Sequence, residues 1–238
     1  PKARLPVTST VLPQALAGKS RTTRNPAHPG AWMTSPAAAG NVPCMGTTGA
    51  SVDNRSIRQR MRNADEAIFQ SVAAHHAPPL DRTLPELSVA ASYSRIWMGI
   101  SVILAVFGGR KERIAAAEGL VAVGITSIVA NLVLKRLIPR KRPTHPVPEA
   151  RELPDPASSS FPSGHTASGA AYSAAVGRAL PRWWLPLNVL AAVIGFSRVY
   201  TGVHHPSDVA VGWVLGKGIA SAVRRSEIVP RLVARLES

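Results

Sequence analysis

The segment Ile114–Leu134, IAAAEGLVAVGITSIVANLVL, carries a single charged residue, Glu118. As an α-helix, which rises ~1.5 Å per residue, it would be about 30 Å long. This length matches the hydrocarbon core of a lipid bilayer, so the segment predicts a membrane-spanning helix.

Four shorter apolar segments accompany it: Ile96–Gly109, Thr166–Gly177, Trp183–Ser197 and Val209–Val223. They are apolar almost throughout instead of showing a polar face every third or fourth residue. Their ends carry arginine, lysine and tryptophan, which are typical of a bilayer interface. The pattern predicts an all-α fold, an integral membrane helical bundle with about five transmembrane helices. A bundle of buried core helices in a soluble protein is the alternative.

The regions outside the bundle differ in composition. Residues 1–63 contain one acidic residue, Asp53, and no sustained apolar period, which predicts a mostly disordered basic tail. The first thirty residues also lack the apolar stretch of a secretory signal peptide, so this region is typical of an organellar transit peptide or of an extension upstream of an internal start. Within Arg58–Ala74, charged and apolar residues alternate in a way that favours an interfacial amphipathic helix or a short exposed one. The expected domains are this tail, a membrane domain over 64–225, and a C-terminal tail over 226–238.

The formal net charge of +15 raises the question of nucleic-acid binding. The basic residues lie mainly in the tail and in short clusters between apolar runs, with no basic helix face, so we expect no nucleic-acid partner. Cys44 is the only cysteine, which excludes an intramolecular disulfide, and no Cys/His cluster has zinc spacing.

Three polar clusters lie at the ends of the apolar segments: KRLIPRKRP over Lys135–Pro143, FPSGHT over Phe161–Thr166, and SRVYTGVHHPSD over Ser197–Asp208. In an up-and-down bundle, the end of the second helix, the start of the third, the end of the fourth and the start of the fifth lie at one face. Helix alternation therefore predicts that the clusters meet.

The clusters contain groups suited to binding phosphate. Three cations, Lys135, Arg142 and Arg198, can surround its oxygens, and guanidinium groups suit bidentate contacts. Ser163 and Gly164 stand where the third helix begins, and the free N–H groups of a helix start favour an anion.

The same clusters contain an acid and nucleophile pair. His165 and His204 are the two histidines, and Asp208 follows His204 by four residues, one helical turn. A carboxylate there can accept the proton-bearing ring nitrogen and leave the other nitrogen free to attack.

With these residues in order, the sequence resembles the type 2 phosphatidic acid phosphatase superfamily, which includes membrane lipid phosphatases and haloperoxidase-like enzymes. The three-part family signature is matched by Lys135 with Arg142 and Pro143, by Pro162–His165, and by Ser197 and Arg198 with His204 and Asp208. The resemblance covers about residues 88–223 and nothing in the N-terminal tail.

The resemblance implies a role for each matched position. His204 would attack phosphorus and form a phosphohistidine, Asp208 would orient it, and His165 would protonate the leaving oxygen and then activate water. The phosphate oxygens would be held by Lys135, Arg142, Ser163, Gly164 and Arg198. No metal ion or other cofactor would be needed.

The expected function is hydrolysis of a phosphomonoester or diphosphate on a membrane lipid: a phosphatidate, a polyprenyl phosphate or diphosphate, or a phosphorylated polyprenyl sugar. The alternatives are a vanadate-dependent haloperoxidase and a non-catalytic protein that binds or transports a phosphorylated lipid. By the positive-inside rule, basic residues at the opposite helix ends predict the plasma membrane of a bacterium with the active site on the outer face. The sequence leaves the oligomeric state open.

Overall fold

The computed structural model describes residues 54–75, 77–144, 147–154 and 158–236, and these residues form an all-helical fold. Its α-helices are α1 (Asn54–Ala74), α2 (Pro78–Ala90), α3 (Arg95–Phe107), α4 (Arg110–Ser127), α5 (Lys135–Leu137), α6 (Gly164–Ala179), α7 (Pro181–Tyr200), α8 (Pro206–Ser226) and α9 (Ile228–Leu236). All five apolar segments of the sequence are therefore helical, as expected.

The first helix extends into the predicted disordered tail. It starts at Asn54, four residues before the predicted Arg58–Ala74 helix and within the segment expected to be mostly disordered. The physical reason is that α1 buries Asp65 and Phe69 against the domain, which stabilises a segment whose own composition is polar. Residues 1–53 lie outside the described part of the chain.

The continuous helical stretch Arg110–Leu137 changes its geometry near its end. Helix α4 continues without a break into a π-helical stretch, Ile128–Leu134, and then into α5. π-Helical turns are rare and are frequent at functional sites. Here the stretch carries Asn131 and leads into Lys135, two residues that line the main cavity.

Only one helix in the described ranges is long and apolar enough to cross a membrane by itself, and it runs over Arg110–Leu137. A second candidate consists of Pro78–Ala90 and Ser92–Phe107, which qualify together but are bent by 62°. At this bend Tyr93 and Ser94 have φ angles of 54° and 60°. The expected total of five transmembrane helices stays a prediction.

Much of the exterior of the bundle is nevertheless apolar. Large apolar side chains are exposed along α3 (Val102, Ile103, Val106, Phe107) and along α7 (Leu185, Val189, Val193, Phe196). Extended apolar surfaces of this kind are uncommon on soluble monomers and are typical of a lipid-facing surface.

Helix α6 forms the centre of the domain and packs against α4, α7 and α8. It consists largely of alanine, glycine and serine and is buried over Thr166–Gly177. The small residues that the sequence places at four-residue spacing on α8 face it closely: a Cβ atom at Gly212 would lie 2.6 Å from the Ser163 carbonyl oxygen, and one at Gly216 would lie 2.1 Å from that of Ala167. The contact between α6 and α8 therefore depends on glycine.

We expect Gly216→Ala to destabilise the domain, because its methyl group would overlap the α6 backbone and overpacking typically costs about 1–3 kcal/mol. The matched control is Gly218→Ala on the same helix, where no atom lies within 4 Å of the added Cβ. The control should leave the thermal unfolding temperature in detergent unchanged or raise it. Equal unfolding temperatures for the two variants would contradict this account of the α6–α8 contact.

Candidate active site

A cavity of about 750 Å³ lies where the three polar clusters meet. Of the eight site residues predicted from the sequence, six line this cavity: Lys135, Arg142, Gly164, His165, Arg198 and His204. The other walls come from residues 91–94 between α2 and α3, from Arg95 at the start of α3, from Ser127 and Asn131, and from the segment before α6, with Leu153, Pro154 and Ser158. The expectation that helix alternation gathers the clusters is met.

Four cationic side chains line the cavity: Arg95 and the three predicted from the sequence, Lys135, Arg142 and Arg198. Arg198, near the end of α7, is buried, and its Nη1 donates to the Ser88 hydroxyl of α2, while its Nε has no partner among the described residues. The Arg142 Nη2 donates to the Ser158 carbonyl at 3.1 Å, and the Lys135 Nζ lies 3.4 Å from the Ser158 hydroxyl. Because no carboxylate from the described residues lines the cavity, these cations favour binding of an anion there.

The two residues predicted at the start of α6 have different surroundings. Gly164 lines the cavity, and a Cβ at this position would lie 2.7 Å from the Asn131 Oδ1, so a larger residue would require the Asn131 side chain to move. Ser163 is fully buried and does not line the cavity. Its hydroxyl accepts from Thr166 at 3.0 Å, and its backbone N–H donates to the Asp208 carbonyl at 3.0 Å. In this structure Ser163 joins the start of α6 to the start of α8.

His204 and Asp208 form a buried pair at the turn between α7 and α8. The His204 Nδ1 lies 3.6 Å from the Asp208 Oδ2, and the two side chains are 2% and 0% exposed. This distance is slightly longer than a hydrogen bond, and the Nδ1 atom has no other partner in the described structure. The pairing leaves the Nε2 edge of the ring available for the cavity that His204 lines.

The charge of His204 is set by its surroundings. Burial, together with the positive charges of Arg198 and Arg142, lowers the pKa of this imidazole to about 4, although Asp208 acts in the opposite direction. His204 is therefore neutral near pH 7, the state in which a ring nitrogen can attack an electrophile.

The second histidine lies on another wall of the cavity. His165, in the first turn of α6, has its Nε2 3.4 Å from the hydroxyl of Ser92, a residue of the bend between α2 and α3. A group bound in the cavity is therefore bordered by His204 and His165, which is the arrangement that a nucleophile and a separate acid require.

Two further residues near the site were not among those predicted from the sequence. The Arg140 Nη1 donates to the Asp208 Oδ1 at 2.7 Å, and its Nη2 pairs with Asp65 of α1. The backbone N–H of His205 donates to the Asp208 Oδ2 at 2.9 Å. The sequence carries one sign that Asp208 would contact the backbone of His205. Asp208 is the third residue of the helix that begins with Pro206, and a carboxylate at this position commonly caps the helix start.

No group of three or more His, Cys, Asp or Glu side chains that could hold a metal ion occurs within residues 54–75, 77–144, 147–154 and 158–236. Among the described residues, the basic side chains that line the cavity are those of lysine, arginine and histidine.

Comparisons with known proteins agree with this geometry. The model of the PAP2 superfamily matches residues 115–227. A decaprenylphosphoryl-5-phosphoribose phosphatase from Mycobacterium tuberculosis is 39% identical over 131 residues, which are 53% of this chain and 69% of that protein. An undecaprenyl-diphosphatase from Sulfolobus acidocaldarius is 33% identical over 127 residues, 52% of this chain and 60% of that protein.

A solved structure has the same fold. It is the transmembrane PAP2-type phosphatidylglycerolphosphate phosphatase from Bacillus subtilis, with a TM-score of 0.57 and 25% identity over 75% of this chain and 89% of the solved chain. Together, the fold, the cavity and these likenesses define a membrane phosphatase, a hydrolase of phosphoric esters. The chain belongs to the PAP2 superfamily.

If the cavity binds a tetrahedral oxyanion, Arg198→Lys should weaken binding of orthovanadate about tenfold, because the ammonium group loses the bidentate contact of the guanidinium. Calorimetric titration of the purified protein in detergent measures this. Arg136→Lys is the matched control, since Arg136 is exposed and does not line the cavity. Unchanged affinity in Arg198→Lys would exclude Arg198 from the anion site.

Proposed function

We propose that the protein removes a terminal phosphate from a polyprenyl-linked lipid by double displacement on His204, without a metal ion. The observation that carries the proposal is one cavity bordered by a buried histidine with a carboxylate behind it, by a second histidine, and by the three predicted cations. The two polyprenyl-lipid phosphatases reported above support the substrate class.

In the first step, the His204 Nε2 attacks phosphorus, the bond from phosphorus to the leaving oxygen breaks, and a phosphohistidine forms. The proton on Nδ1 faces Asp208, whose carboxylate stabilises the positive charge that develops on the ring. His165 gives a proton to the leaving oxygen, so the lipid departs as an alcohol or, from a diphosphate, as a monophosphate.

In the second step, His165 accepts a proton from water, the water oxygen attacks phosphorus, and the bond from phosphorus to His204 breaks. Inorganic phosphate leaves and both histidines return to their first state. Throughout, Lys135, Arg142 and Arg198 hold the non-bridging oxygens, and Gly164 offers backbone N–H at the start of α6. Ser163 acts by fixing the position of that helix start.

The size of the cavity also supports a substrate larger than phosphate. Its volume of about 750 Å³ lies within the roughly 300–1,000 Å³ that is common for sites of drug-sized ligands. Val89, Ala91, Leu153 and Pro154 add apolar surface to its walls, which suits a headgroup joined to a lipid chain.

The proposed membrane is the plasma membrane, with the cavity on the outer face. The helix ends opposite the cavity carry Arg110, Lys111, Arg113, Arg178, Arg182, Arg224 and Arg225. Contacts join several of these ends: Arg182 pairs with Glu112 at 3.1 Å, and Arg178 donates to Ser221 at 2.9 Å. The positive-inside rule assigns such a basic end to the cytoplasm.

Replacement of the two histidines should block different steps. We expect His204→Asn to abolish phosphate release and to form no acid-labile phosphoenzyme. His165→Asn should slow turnover by about 10²–10⁴-fold, the usual contribution of a general acid or base. Rapid acid quench with radiolabelled substrate measures both quantities. Exposed His75 provides the control, since His75→Asn should behave as the unchanged protein. Full activity in His204→Asn would reject the mechanism.

The substrate class is tested by a release assay on the purified protein with decaprenylphosphoryl-5-phosphoribose, undecaprenyl diphosphate and phosphatidate. We expect higher kcat/KM for the polyprenyl lipids than for phosphatidate, because two relatives named for polyprenyl lipids are 39% and 33% identical to this chain. Added chelator should not change the rates. A preference for phosphatidate would overturn the substrate class, and loss of activity with chelator would overturn metal independence.

A further inference from the structure

Arg140 and Asp65 form a chain of charged contacts that ends on Asp208. One nitrogen of Arg140, Nη1, lies 2.7 Å from the Asp208 Oδ1, and the other, Nη2, contacts the Asp65 Oδ2. The exposed fractions of the three side chains are 25% for Arg140, 5% for Asp65 and 0% for Asp208. A guanidinium group suits this bridging role because its donors are fixed in one plane.

We propose that Arg140 and Asp65 are positioning residues that hold the Asp208 carboxylate in register with His204. The inference rests on the proposed function, since it takes His204 to be the nucleophile. It extends the catalytic unit to α1, a helix outside the residues that the PAP2 model matches.

The two oxygens of Asp208 have separate tasks. Oδ1 accepts from Arg140, whereas Oδ2 faces His204 and also accepts from the Ser160 hydroxyl at 2.5 Å and from the His205 N–H at 2.9 Å. With Arg140 on Oδ1, the carboxylate cannot rotate without breaking a charge-assisted hydrogen bond. Arg140 therefore keeps the Asp208 Oδ2, and not Oδ1, facing the His204 ring.

Asp65 fixes Arg140 and the start of α8 at the same time. Its Oδ1 accepts the backbone N–H of Ser207 at 2.8 Å, and its Oδ2 accepts the Ser207 hydroxyl at 2.6 Å. The Arg140 Nη1 also donates to that hydroxyl at 2.6 Å. Ser207 directly precedes Asp208, so one carboxylate from α1 holds both the arginine and the backbone that carries the catalytic aspartate.

Neither residue lines the cavity, so substitutions should change kcat and not KM. We expect Arg140→Gln to lower kcat about 10–100-fold, as removal of an orienting group behind a reactive side chain commonly does. Arg140→Lys should recover part of this loss, because lysine restores the positive charge but not the planar pair of N–H donors of the guanidinium group. Asp65→Asn should lower kcat less, and in the Arg140→Gln background it should retain only the part of its effect that comes from its direct contacts with Ser207.

The pH profile separates this role from a purely structural one. The charged and titratable groups around His204 are Asp208 of α8, Arg198 of α7, His165 of α6, and Arg142. Loss of Arg140 leaves the negative charge of Asp208 less compensated, which favours the imidazolium form of His204. The acidic limb of kcat/KM should therefore move to higher pH in Arg140→Gln and should not do so in Asp65→Asn, which keeps the cation.

The experiment compares kcat, KM and the acidic limb for the full chain in detergent, with the thermal unfolding temperature of each variant. Arg136→Gln removes an exposed cation from the same basic cluster, and Glu66→Gln removes the half-buried carboxylate next to Asp65. Both controls should match the unchanged protein.

A kcat for Arg140→Gln equal to that of the unchanged protein, a loss confined to KM, or an acidic limb that does not move would overturn the proposal. If Arg140→Gln does not fold, Arg140→Lys and Asp65→Asn decide it by whether kcat falls at unchanged KM. Activity in His204→Asn would instead reject the proposed function, so the two failures are distinguishable.

Discussion

The site depends on one buried carboxylate. Asp208 is fully buried, and an unpaired charge in such a place costs several kcal/mol. Its oxygens face Arg140, Ser160, the backbone of His205 and the ring of His204. These donors come from the segment before α6 and from the turn before α8. The hydrogen bonds and ion pair that the Asp208 carboxylate requires therefore bring the predicted polar clusters together.

The second constraint is the close packing of α6 and α8. Since α8 carries Asp208 in its first turn and α6 carries His165, their separation sets the geometry between the two histidine-bearing segments. Gly212 leaves no room for a side chain beside the Ser163 carbonyl, at the start of α6. Ser163 in turn donates its backbone N–H to the Asp208 carbonyl, which joins the two helix starts directly. The close packing of small residues between α6 and α8 therefore also sets the relative position of the site residues on these two helices.

Most of the cavity could be predicted because its residues stand at helix ends. Lys135, His165 and Arg198 each lie within a turn of a helix terminus, and alternation of helix direction suffices to place such residues together. Ser163 was harder to place, because an N-cap position points either to a ligand or into the protein, and here Thr166 bonds its buried hydroxyl. Residues 54–57, the part of α1 ahead of the predicted helix, were missed because their order depends on burial of α1 against the rest of the domain.

The sequence by itself determined the helical segments, the anion-binding character of one end of the bundle and the spacing of His204 from Asp208. Each of these follows from local periodicity or from short separations along the chain. Only the tertiary structure decided that Arg140, and not its neighbour Arg136, would contact Asp208, and that Asp65 would complete the pair. The three residues are far apart in sequence, and an ion pair depends on distances between segments that a linear pattern does not contain.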